Sequence, residues 1–199
     1  MKKLLFVLMA VGAIGVAGYA VAMFTIQPPL FQSKTEEILS DPLWRTFFYI
    51  HVGGGLIALA IGWIQFSKKF RDKRMSTHRN LGMFYILSIL LASIAAGYSA
   101  TYASGGFGNQ LGFFCLALAW FYTTLMAFIT IKNGQIQSHK NWMTYSYALT
   151  YAAVTLRIFL PSWMGIGIPF EEAYNAIAWF CWIPNLVIAQ WIVNKKWVL

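Results

Sequence analysis

The stretch LGMFYILSILLASIAAGYSATY, Leu81–Tyr102, decides how the rest of the chain is read. It runs 22 residues without a charge. About 20 apolar residues carry an α-helix across the hydrocarbon core of a bilayer. Working outward, similar runs recur at about Leu4–Phe24, Thr46–Phe66, Leu111–Ile131, Trp142–Leu160 and Ala173–Val193, which makes six. His51 and Arg157 are their strongly polar interruptions. The 199 residues are 59% hydrophobic and 11% charged, against about 25% charged in a soluble domain. The chain therefore reads as one all-α integral membrane domain over residues 1–199, with six transmembrane helices. Helices two to five form the expected four-helix core. No room is left among these residues for a separate soluble domain.

The charges set an orientation, because Lys and Arg favour cytoplasmic loops. Lys2 and Lys3 precede the first run; Lys68, Lys69, Arg71, Lys73, Arg74 and Arg79 follow the second. Lys132 and Lys140 bracket the link after the fourth, and Lys195 and Lys196 follow the sixth. Glu36, Glu37, Asp41, Glu171 and Glu172 fall on the opposite side. Both termini are expected in the cytoplasm and the protein in the inner (plasma) membrane. The net charge of +9 reads as topology and attraction to anionic lipid, not as nucleic-acid binding. Lys2-Lys3 and Ala20-Val21-Ala22 imitate a signal peptide. The apolar run between them exceeds the usual 7–15-residue signal core, so a retained helix is expected. Cys115 and Cys181 lie singly inside predicted helices and read as small buried hydrophobes.

Just before Leu81 stands THRN, Thr77–Asn80, and before Trp142 stands SHKN, Ser138–Asn141. His78 and His139 are 61 positions apart. Each precedes a cation, Arg79 or Lys140, and each opens a predicted helix. Two hairpins related by an axis along the membrane normal would give this spacing. His139, Met143, Ser146, Thr150, Ala153 and Arg157 step by threes and fours along one helical face. His51, Gly55, Ala58, Gly62 and Gln65 form a second such line, and small residues there admit close backbones or a flat ligand.

Several readings of these positions compete. A cation in a membrane helix costs about 2.5–3.5 kcal/mol on insertion scales. Arg157 is thus expected to face the bundle, near His51, or to snorkel towards headgroups. His51 alone also fits a satisfied core histidine. His78 and His139 fit solvated helix starts beside lipid phosphate. They equally fit paired axial ligands of a haem iron, with Arg79 and Lys140 on the propionates, or imidazole donors to an anionic or quinone-like ligand. A zinc site is disfavoured, since structural zinc wants four ligands.

At these residues the chain resembles a bacterial multi-pass membrane family, domain of unknown function 2306. The resemblance spans about Phe48 to Pro161, residues 48–161. It is carried by His51 with its following glycines, HRNLGMFY (His78–Tyr85) and HKNWMTYSYALTYAAVTLR (His139–Arg157). It implies an inner-membrane protein with His51, His78, His139 and Arg157 as polar positions, and supplies no reaction. The arrangement is also similar, more loosely, to bis-histidine b-type cytochromes.

Three functions are therefore weighed. The first is a redox protein binding haem b or quinone through His51, His78, His139, Arg79, Lys140 and Arg157, with His78 and His139 on the iron. The second is a non-catalytic binding or assembly protein for a lipid, quinone or partner membrane subunit. The third is a small-molecule transporter built on the His51–Arg157 layer. The spans contain no Asp or Glu, which argues against an ion-driven carrier. No nucleophile–base–acid set is recognisable.

Overall fold

The computed structural model describes residues 2–22 and 34–195. Every regular element among them is helical. The helices are α1 (Lys2–Ala22), α2 (Glu36–Ser40), α3 (Pro42–Gln65), α4 (Lys68–Lys73) and α5 (Met75–Ala100), then α6 (Phe107–Lys132), α7 (Ile136–Thr150), α8 (Ala152–Gly165), α9 (Phe170–Phe180) and α10 (Ile183–Asn194). Residues 23–33, which include most of the expected long loop from Gln27, lie outside the described residues, as does Lys196.

Among the described residues four helices are long and apolar enough to cross a membrane: α3, α5, α6, and α9 with α10 as one 25-residue span. The apolar part of α1, Phe6–Tyr19, is shorter. The run expected as one helix over Trp142–Leu160 falls into α7 and α8. The turn between them is tightened at Tyr151, whose carbonyl accepts from the N–H groups of both Val154 (2.9 Å) and Thr155 (3.1 Å).

α5 explains why such helices sit in lipid. Met83, Phe84, Leu87, Leu91 and Ile94 are exposed along one face. Tyr85, Ser88, Ile89, Ala92 and Ser93 are buried on the other. Large apolar residues line the outer face, while the inner face mixes small and hydroxylated residues with Ile89, a distribution that suits lipid outside and close helix packing inside. Contact with a lipid bilayer follows.

α3 packs on α5, α5 on α6, α6 on α7, and α7 back on α3, closing a ring. The largest buried cluster, including Ala58, Tyr85, Ile89, Trp120, Ala127, Met143 and Tyr147, is drawn from these four helices. α1 lies against α3 and α8 through Ala13, Ala17, Leu59 and Val154. Asn185 ties α10 in by donating to the carbonyls of Ala148 (3.2 Å) and Cys181 (3.0 Å). Cys115 and Cys181 are free thiols.

The connections are short, so successive long helices are antiparallel and the bundle has two chemically distinct ends. One, the basic end, carries α4, Arg79, Lys132, Lys140 and Lys195. The other carries Glu36, Glu37, Asp41, Glu171 and Glu172. At the acidic end Asp41 caps α3, its carboxylate accepting from Leu43 N–H at 2.8 Å. Lys34 reaches across to the carbonyl of Tyr102 and to Ser104 Oγ (3.1 Å). Burial holds its ammonium pKa below the ordinary lysine value. Asn109 closes the turn after α5 by donating to Ser104 O (2.8 Å) and Asn175 Oδ1 (2.7 Å). Gly105 there has φ 86°, which glycine alone adopts readily.

Candidate functional site

The centre of the ring is polar. The Tyr85 hydroxyl shares hydrogen bonds with Ser146 Oγ (3.1 Å) and Thr150 Oγ1 (3.1 Å). Ser146 Oγ also meets Thr124 Oγ1 at 2.7 Å. Trp120 Nε1 donates to Thr150 Oγ1 at 2.9 Å. The Thr150 and Thr124 hydroxyls also lie 2.9 Å and 2.8 Å from the carbonyls of Ser146 and Trp120. Five hydrogens thus serve six contacts, so two of the contacts must share one proton. All of this lies where lipid offers no substitute partner. Tyr85→Phe is expected to lower stability in detergent by about 0.6–2 kcal/mol, the range for interhelical side-chain bonds in membranes. Thermal melts of the two proteins check it; an unchanged melting point would mean the hydroxyl contributes nothing.

The stripe on α7 points here through Met143, Ser146 and Thr150, all buried. Tyr85 and Ser146 are 61 positions apart, the same interval that separates His78 from His139. One pair of residues at that interval thus meets between α5 and α7.

About two turns from that network, towards the basic end, stand the two histidines. His78 stands on α5 and His139 on α7, and His139 contributes to the electrostatic field at His78. His139 Nδ1 lies 2.8 Å from the Ala127 carbonyl. A carbonyl only accepts, so Nδ1 carries the proton and Nε2 keeps its lone pair. A histidine held this way is set up as a ligand. His78 Nδ1 is buried without a hydrogen-bond partner. Arg79 is exposed beside it and Lys140 half-buried beside His139.

Two further buried side chains carry polar atoms without a hydrogen-bond partner. Gln65 is 6% exposed, with neither amide atom hydrogen-bonded. Its Oε1 lies 3.9 Å from the point where a Cβ on Gly82 would stand, and Gly82 is one turn along α5 from His78. Tyr147 is 3% exposed, and its hydroxyl is also unpartnered. Its ring packs on Phe66 (5.2 Å between centroids) and against Gly62. A buried polar group without a partner costs about 1–3 kcal/mol, so these groups are expensive features of the bundle.

His51 sits apart from His78 and His139. Its Nδ1 is 3.4 Å from the Ala92 carbonyl and its ring stands edge-on to Trp120 at 6.2 Å. It lies within electrostatic range of Arg157. Arg157 donates to the Ala153 carbonyl at 3.0 Å, and its guanidinium covers the Tyr19 ring of α1 at 5.5 Å. The six sequence-derived residues thus separate into two groups, His78, Arg79, His139 and Lys140 at the basic end, and His51 with Arg157 towards the acidic end.

A family model described as a predicted membrane protein (DUF2306) matches residues 48–193. The chain belongs to the DUF2306 family. No curated protein and no solved structure matches it. The DUF2306 match takes in both histidine groups, the hydroxyl network, and α9 and α10 beyond residue 161. It leaves out α1, so the Tyr19 ring over Arg157 comes from outside the matched region.

Gln65, Tyr85, Trp120 and Tyr147 are buried polar positions within the DUF2306 match to which the sequence reading gave no role, although Gln65 and Tyr85 lay on the helical lines through His51 and His78. Gln65 ended the line through His51 and Gly62 and was the one long polar side chain on it. Tyr147 stood off the stripe defined by His139, and nothing local marked its hydroxyl as unpartnered.

Proposed function

We propose that the protein is a six-span membrane protein, both termini cytoplasmic, that holds haem b between His78 and His139. The observation that supports this reading is that His139 Nδ1 is taken up by the Ala127 carbonyl at 2.8 Å, which leaves Nε2 available on the same end of the bundle as His78. Among the described residues no three His, Cys, Asp or Glu side chains gather as metal ligands. A bare cation would therefore be poorly held. A porphyrin brings four nitrogens of its own and needs only two axial imidazoles. Arg79 and Lys140, each next in the chain to one of the histidines, would offset the propionate charges. Such a centre supplies one-electron transfer.

α1 and the kinked α7–α8 pair provide the fifth and sixth crossings. The basic end faces the cytoplasm by the distribution of Lys and Arg.

A second reading is a metal-free site for a quinone or other polar-headed lipid. The unpartnered Gln65 amide and Tyr147 hydroxyl favour it, because they match carbonyl and hydroxyl groups rather than iron. Titrating the purified protein with haem b separates the two. A saturable Soret band at one haem per chain, sharpening on reduction, supports the first. A protein that stays colourless yet binds a quinone analogue, and loses it in Gln65→Leu, supports the second. Uptake of a solute dependent on Arg157, without colour, would set both aside for a carrier.

A further inference from the structure

At the basic end, away from the histidines, α1, α3 and α4 enclose a cleft of about 280 Å³. Its wall includes the apolar rings of Phe6, Trp63 and Phe70 and the cations Lys69, Lys73 and Arg74. Phe6 and Trp63 meet edge to face at 6.0 Å. The short α4 is fixed in place by Ser67 Oγ, which accepts from Phe70 N–H at 3.3 Å, and by Arg74 N–H donating to the Phe70 carbonyl at 2.9 Å. Residues 68–74 hold five cations and the single acid Asp72, which does not line the cleft. Among the described residues the cleft is thus lined by three cations and an aromatic floor and by no acidic side chain.

We propose that this cleft is a binding site for one anionic phospholipid. It opens where α3 ends, which is headgroup depth for a helix that spans the bilayer. The phosphate would lie among Lys69, Lys73 and Arg74. Val7 and Val11 on α1 and Ile57 on α3 are exposed below it and offer the acyl chains an apolar track. A free phosphate would use the cations and ignore the rings and the track. Bringing one elementary charge to a cluster of basic side chains at a membrane surface is worth about tenfold or less per side chain.

Native mass spectrometry of the detergent-solubilised protein, offered phosphatidylglycerol and phosphatidylcholine with the same chains, reads the site directly. One phosphatidylglycerol should be retained about tenfold more tightly than phosphatidylcholine. Lys69→Gln/Lys73→Gln should bring the two lipids to parity. Lys132→Gln/Lys195→Gln removes as much charge at the same end and should keep the preference. All four lysines are exposed, and matching circular-dichroism melts confirm that the variants fold. Equal retention of both lipids by the parent protein would overturn the proposal. An equal loss in the control pair would do the same, since it would reduce the effect to diffuse charge. Full displacement by millimolar inorganic phosphate would remove the lipid from the claim.

Discussion

On the haem reading proposed above, His139→Ala is expected to abolish the low-spin spectrum, with haem affinity falling by about a hundredfold or more. His78→Ala is expected to do the same. An axial imidazole is a covalent partner of the iron, and even outer groups that only orient such ligands alter affinity by about 10–100-fold. The loss should be local. His139 gives its Nδ1 proton to the carbonyl of Ala127, inside α6. That oxygen keeps its place in the helical ladder when the imidazole is removed. The Thr124–Ser146–Tyr85–Thr150 network about two turns away is untouched. Melting points near that of the parent protein, together with loss of the Soret band, are the expected pair of results. On the same reading, Arg79→Gln and Lys140→Gln should weaken binding without changing the spectrum, because they would meet the propionates and not the metal. If His78→Ala and His139→Ala both bind haem with the parent spectrum, the paired-imidazole site is wrong.

Gly54→Leu is expected to prevent α3 and α5 from closing, and Gly54→Ala to cost about 1–3 kcal/mol, the usual range for overpacking. A Cβ on Gly54 would stand 2.7 Å from Ala92 Cβ and 2.7 Å from the carbonyl oxygen of Ser88. One of those atoms is backbone, so no rotamer change makes room. The same approach holds His51 within 3.4 Å of the Ala92 carbonyl, so widening it should release His51 as well. Gly55 is the internal control. Nothing lies within 4 Å of its Cβ position. Gly55→Ala should be neutral or stabilising by roughly 0.5–1 kcal/mol, because alanine loses less conformational freedom than glycine in a helix. Thermal or denaturant unfolding in detergent measures both. Equal stability of Gly54→Ala and Gly55→Ala would mean that the close approach is not a constraint.

The histidine spacing was readable because it is local. Thr77–Asn80 and Ser138–Asn141 look alike along the chain, and a helix starting at each puts the two rings at the same depth. Arg157 shows where such reading loses force. A steady helical step from His139 carries it onto the face of Ser146 and Thr150. The turn at Tyr151 tightens the helix there, and the guanidinium goes to Tyr19 on α1 instead. Tyr19 is 138 positions away, and no periodicity links the two. Trp120 and Tyr147 are similar cases. An aromatic ring in an apolar run looks the same whether its polar atom is bonded, as in Trp120, or left over, as in Tyr147.

Composition and the length of the uncharged runs by themselves determined an all-helical membrane protein, since lipid leaves the backbone no partner but its own helix. They also marked both histidine groups and the basic end. Tertiary structure alone decided which polar atoms are paired. Hydrogen bonding inside a bundle depends on which helix faces which, and a distance of three ångströms between Tyr85 and Ser146 is invisible across the 61 residues that separate them.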